Sequence, residues 1–263
     1  MLQTFTDTRP YSQPLSPFAV DGERYALPVD FVDGLAFLRP FVKRRGTMIE
    51  NFVHILSGKL YIVTNNLVID YEIGSTDLSN ACLGPNEIRI LEAFETPPVE
   101  VIFDSKMFHF HWEDGQQFYF GGSGTSSVYL SSETHERAAN DAFDRFLRFN
   151  DSVAITDTVK REIRRMHGGS KLAKDIFLNE RAILSRMSSD GETWTSVFTT
   201  PFENNADRVM RFDRGAFLGM IKIATEINFA TSPVCFRHEH GRGMLIELTT
   251  GSDLPDFEGA END

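Results

Sequence analysis

The chain of 263 residues is long enough for one large domain or two ordinary ones. Its composition, 41% hydrophobic and 24% charged, excludes general disorder, and no apolar run approaches the roughly 20 residues of a membrane-spanning helix. A formal charge of −12, from 26 Lys and Arg against 38 Asp and Glu, excludes a nucleic-acid binder that wraps its target in a uniformly basic surface.

The first stretch, 1–24, is rich in Pro and Ser and reads as a loose lead-in without the basic start and apolar centre of a signal peptide. Cys82 and Cys235 are the only cysteines, so neither a disulfide framework nor a four-cysteine zinc site is expected, and a reducing, cytoplasmic setting is. Residues 25–122 form the first predicted domain. A helix is expected over 28–39, where Phe31, Leu35, Leu38 and Val42 share one face, and Pro40 ends or kinks it. Strand-like runs IENFVHIL, KLYIVTN and LVIDYEI follow, the first two joined by the turn Ser57-Gly58. Gly84-Pro85 opens a second short helix, NEIRILEAF, which Pro97-Pro98 stops. The strand runs VEVIF, MFHFHW and QFYFGG close the domain, with Asp114-Gly115 as a hairpin turn.

Residues 123–150 read as a connector that begins Gly/Ser/Thr-rich and carries Phe143, Phe146 and Leu147. The second predicted domain, 151–250, repeats the order. SVAI is a strand, and 157–167 a helix with Val159, Ile163 and Met166 on its apolar face, ended by Gly168-Gly169. The runs KDIFLN, RAILSRM and TWTSVFTT follow, with turns at Asn179-Glu180 and Asp190-Gly191. DRVMRF leads into a helix over 213–226, capped by Asp213 and packed through Phe217, Met220, Ile221 and Ala224, before VCFRHE and GMLIEL. First helices start about 127 residues apart and second helices about 128 apart, so two independent offsets agree on an internal repeat. The expected fold class is α+β, two repeated domains, each with two helices packed on antiparallel sheets. A tail over 251–263 contributes −5 and is expected to stay solvated.

The acidity is not uniform. Residues 65–118 carry −8, yet Arg39, Lys43, Arg44 and Arg45 stand together without an acid among them. Lys160, Arg161, Arg164, Arg165, Lys171 and Lys174 form a second island of net +3 over 157–175. Arg161, Arg164 and Arg165 are spaced i, i+3 and i+4, which makes one helical stripe opposite the apolar one. Such a stripe is also the ordinary solvated face of a surface helix. Helix 86–94 offers Glu87 and Glu92 against Arg89, and the last helix only Arg214 and Lys222.

Two His-x-His pairs, His109/His111 and His238/His240, each place two imidazoles on one strand face, the arrangement a cupin-like metal enzyme uses. Glu113 follows His111 too closely for the usual cupin spacing, and surface histidines without metal are the expectation. The run GGSGTS lacks the Gly-Lys-Ser/Thr ending of a phosphate loop and reads as a joint. No Gly-x-Ser-x-Gly elbow or HExxH helix occurs. These readings point to a protein that is not an enzyme and holds no metal and no cofactor.

The layout resembles that of the DNA sliding clamps, the processivity rings of replicative polymerases, over about residues 25–248. The most family-like stretches are FVDGLAFLRPFVKRRGTMIENFVHILSGKLYIVTNN and DRVMRFDRGAFLGMIKIATE followed by PVCFRHEHGRGMLIEL. The resemblance implies helices facing a central hole, sheets outside, and six domains closing a ring around duplex DNA. With two domains per chain it implies a head-to-tail C3 homotrimer. It also implies that Arg39, Lys43, Arg44, Arg45, Lys160, Arg161, Arg164, Arg165, Lys171, Lys174 and Lys222 meet phosphate without reading sequence. DNA polymerase and a clamp loader are the implied partners, with no membrane. A partner groove is expected near Phe143, Phe146 and Leu147. Divergence from both cellular forms points to a viral clamp in the host cytoplasm. The rival readings are the cupin-like enzyme and a monomeric factor of the same fold that does not close.

Overall fold

A computed structural model describes residues 22–43, 49–56, 58–103, 107–121, 152–167, 174–189, 192–199, 201–202, 206 and 208–250. Its element order follows the repeat. The first half runs β1 (Glu23–Ala26), α1 (Phe31–Leu38), β2 (Val53–Leu56), β3 (Lys59–Val63), β4 (Leu67–Glu72), β5 (Ala81–Leu83), α2 (Pro85–Leu91), β6 (Glu100–Phe103), β7 (Met107–His111) and β8 (Gln117–Gly121). The second half runs β9 (Val153–Ala154), α3 (Asp157–His167), β10 (Asp175–Leu178), β11 (Ala182–Ser189), β12 (Glu192–Thr199), β13 (Met210–Asp213), α4 (Arg214–Ile223), β14 (Glu226–Asn228), β15 (Val234–His238) and β16 (Gly241–Leu245). Two strands are absent from the sequence reading. β5 is only three residues in a polar stretch, and β14 occupies what was read as the end of the last helix, which stops where Ala224 turns extended (ψ 139°).

Local chemistry accounts for the helix boundaries. α1 gives way at Leu38 to a 3-10 turn, Arg39–Phe41, because Pro40 is tolerated early in a turn but not inside an α-helix. α4 starts where Asp213 Oδ1 accepts from Ala216 N at 2.8 Å. α3 has a polar start of the same kind, Thr156 Oγ1 accepting from Val159 N at 3.3 Å. The Asp114-Gly115 hairpin forms as expected, with Gly115 at φ 83° and Gln116 N donating to Asp114 Oδ1.

The strands make three antiparallel sheets: β1-β6-β7-β8, β12-β11-β10-β13, and an eight-stranded sheet β5-β2-β3-β4-β16-β15-β14-β9. The largest sheet is therefore built from both halves, joined where β4 pairs with β16 (Ile69 opposite Gly243, Leu67 opposite Leu245). On one face of this seam lie the helices. α1 packs on β3 and β4 and beside α2, while α4 packs on β16 and beside α3. Phe41 closes the gap between halves, since a Cβ placed on Gly219 of α4 would come within 3.1 Å of its ring. The helices thus form a row, α2-α1-α4-α3. Beneath them Phe31, Leu35, Leu38, Ile69, Phe110, Phe212, Phe217 and Phe236 belong to one continuous core cluster.

Gly243 is fixed by that core. It lies opposite Phe236, and a Cβ there would fall 2.0 Å from the ring's Cζ. Gly243→Ala is expected to lower stability by about 1–3 kcal/mol, read as a fall in thermal midpoint, because the fully buried ring must leave its rotamer.

The far face of the seam carries a charge cluster. Asp70 on β4 is fully buried and accepts from Arg242 N at 2.7 Å and Arg242 Nε at 3.2 Å, with Lys59 Nζ 3.6 Å away. No described helix is long and apolar enough to cross a membrane.

Candidate nucleic-acid interface

α3 is the basic element of the helix row. Its register puts Val159 and Ile163 into the core and leaves Arg161, Arg164 and Arg165 exposed, with Lys160 half-buried at the margin. The arginines are held lightly. Arg161 donates to Asp157 O and Thr158 Oγ1 at 3.4 Å each, and neither Lys160, Arg164 nor Arg165 makes an ion pair with a described residue. Lys174, just before β10, and Lys222, in the last turn of α4, are exposed beside this surface in sequence order.

The first half differs. Arg39 Nε binds Glu92 Oε1 at 3.0 Å, tying the end of α1 to the end of α2. Lys43 Nζ binds Glu50 Oε1 at 2.6 Å, and that same buried carboxylate oxygen accepts from Asn65 N. These two cations are therefore largely spent within the fold. Arg44, Arg45 and Lys171 lie outside the described residues, as do the connector residues Phe143, Phe146 and Leu147 and the tail 251–263.

The histidines correct an expectation. His109 and His238 are buried, not on the surface. His238 Nε2 donates to Asp70 O at 2.8 Å, its Nδ1 accepts from His240 N, and its ring stacks on Phe37 of α1. Burial pushes its pKa down, so it serves as a neutral fastener of the seam. His109 stacks on Tyr119 with ring centres 3.7 Å apart and lies 4.0 Å from His111. The two pairs sit on different sheets, one on β7 and one at the end of β15, and not around a barrel mouth. No group of three or more His, Cys, Asp or Glu placed to hold a metal occurs among the described residues.

Solved structures with the same architecture are bacterial clamps. A Helicobacter pylori β clamp bound to a DNA ligase peptide is 11% identical, with a TM-score of 0.58, over 89% of this chain and 68% of that one. A putative DNA polymerase III β subunit from Eubacterium rectale is 14% identical, with a TM-score of 0.59, over 88% and 65%. The β subunit of the Streptococcus pyogenes DNA polymerase is 12% identical, with a TM-score of 0.56, over 92% and 69%. At this identity the likeness is one of fold, and the fold is that of a sliding clamp. No protein-family model matches the sequence, and no curated protein matches it. The chain spans about two thirds of the length of the bacterial chains it matches.

Proposed function

We propose that the protein is a non-enzymatic DNA sliding clamp, a ring that encircles duplex DNA and tethers a replicative polymerase for processive synthesis. The observation that carries this is the helix row on one face of the sheets, with the basic stripe of α3, which makes no ion pair with a described residue, standing in a chain of net −12. Phosphate is attracted to that wall alone, and contacts of this kind read no base, which a sliding protein requires. Lys174 and Lys222 extend the stripe, and Arg44, Arg45 and Lys171 join it by sequence position. Arg39 and Lys43 contribute less, because Glu92 and Glu50 already hold them.

The two repeats in this chain support a trimeric assembly. Two repeated units match about two thirds of a bacterial clamp chain, which leaves that chain room for a third unit. Three copies of this shorter chain then supply six. Sheet edges support a place for one copy to meet the next. Within the chain β4 pairs with β16, and their counterparts in the opposite halves, β12 and β8, are edge strands among the described residues. A second copy placing β12 against β8 repeats the internal seam and gives a head-to-tail trimer, closed when the rotation matches. Native mass spectrometry or light scattering is expected to show a trimer. A clean monomer at tens of micromolar in low salt would favour the open, monomeric reading instead.

Partner docking follows the same reading. The Helicobacter pylori clamp binds a DNA ligase peptide. A polymerase peptide with apolar and aromatic anchors suits the connector residues Phe143, Phe146 and Leu147. A clamp loader opens the ring for DNA to enter.

A further inference from the structure

The two seams of such a ring are built from equivalent strands but not from equivalent side chains. The registers align them directly. Glu226 opposes Arg237, which opposes Arg242, and in the first half Glu100 opposes His111, which opposes Gln117. One step along, Cys235 and Met244 correspond to His109 and Tyr119. Gln117 therefore stands where Arg242 stands. Counted from the hairpin turn, Thr195 of β12 stands where Asp70 stands on β4. The buried Asp70–Arg242 lock of the internal seam has no charged counterpart at the open edges.

Beside the β8 edge, on β7, stands a histidine pair. His109 Nε2 and Tyr119 Oη both meet Gln117 Oε1, at 3.3 and 3.1 Å. His109 Nδ1 and His111 Nε2 are buried and have no hydrogen-bond partner among the described residues. The charged groups facing them are Arg24 on β1 and Glu100 on β6, already paired to each other at 2.8 Å. The other facing groups are Gln117 and Tyr119 on β8.

We propose that the face formed by His109, His111, Gln117 and Tyr119 is the seat of the subunit joint, that it receives β12 of a second copy of this chain, and that the joint holds only while both imidazoles are neutral. The proposal rests on the ring reading above. Continuity carries it, since the occupant of this edge is the strand type that already occupies the equivalent edge inside the chain. Burial lowers the pKa of both histidines, and at His109 the neighbouring His111 lowers it further. Covering them with a second chain deepens that burial. A group whose pKa is lower in the ring than in the free chain stabilises the ring above the free-chain pKa. That stability is lost as pH falls below the free-chain pKa and through the ring pKa. The ring then opens between chains on acidification, while the Asp70–Arg242 seam keeps each chain in one piece.

The test is the trimer–monomer equilibrium of the full chain by light scattering between pH 8 and pH 5. Readings are taken where circular dichroism shows the fold unchanged. The wild-type dissociation constant is expected to rise by up to about tenfold per pH unit for each histidine that must lose its proton. The double variant His109→Gln with His111→Gln is expected to trimerise with that dependence flattened. The double variant Gln117→Arg with Thr195→Asp, which places the charge lock at the open edges and keeps both histidines while removing the Gln117 bonds to His109 and Tyr119, is expected to hold the trimer to lower pH. A wild-type trimer indifferent to pH, or a histidine variant with undiminished pH dependence, overturns the proposal and leaves the ring. Absence of any trimer at pH 8 overturns the ring reading itself.

Discussion

Replacing Lys160, Arg161, Arg164 and Arg165 with Ala is expected to weaken duplex binding by a hundredfold or more, roughly, at low salt, while the thermal midpoint stays close to wild type. The two halves of that expectation have separate causes. Folding is spared because the core contacts of α3 run through Val159 and Ile163, on the opposite side of the helix. Alanine is also the strongest helix former. Binding falls because four cations that make no ion pair with a described residue leave the wall, and each phosphate contact contributes about 0.9 to the slope of log K against log salt. The slope should therefore flatten in step with the affinity, equally for every DNA sequence. Filter binding or fluorescence anisotropy across a salt series reads both. An unchanged slope moves the DNA surface away from α3. Arg39→Ala is the informative control, since its guanidinium is bound to Glu92 and its loss should cost DNA affinity little.

The second large effect is expected at the internal seam. Asp70→Ala should destabilise the chain by about 3 kcal/mol, seen in urea or thermal unfolding. The carboxylate is fully buried, and its removal leaves Arg242 N without its acceptor and the Arg242 and Lys59 charges facing each other. Both cations retain a quarter or so of their exposure, which moderates the cost. Arg242→Ala attacks the same pair from the other side and leaves the carboxylate to the backbone N–H at 242 and to Lys59, so a double-mutant cycle should show coupling between the two positions. Additive losses would mean that the pair acts through local packing and not as a link between the halves.

Much of this architecture was legible in the chain order. The repeat emerged from helix spacing, and α3 coincides with its predicted bounds because a polar start, an apolar stripe and a basic stripe all agreed over 157–167. β5 escaped because Ala81–Leu83 is too short to show any period, and its neighbours in sequence are polar. β14 escaped because Ala224, Glu226 and Ile227 continue the helical pattern, while tertiary pairing with β9 and β15 wins there. The candidate site was legible in residue type but not in state. Nothing local indicates that Arg39 meets Glu92, 53 residues away, or that Asp70 meets Arg242 across 172 residues. Alternation placed His109 and His111 on one face, but it carries no information on what buries them.

The eight-stranded sheet has a mechanical consequence. Where two domains are joined by a linker, the angle between them is free to vary. Here the angle between the halves is set by strand twist accumulating across β4 and β16, as in any continuous sheet. In the proposed ring each chain is a bracket of set angle, and only the seams between chains take up any mismatch. Small departures in seam twist, multiplied around three brackets, separate a planar hoop from a shallow spiral with one gap. A change of a few degrees at a single edge would thus decide whether the same chain encloses its track or leaves a doorway in it.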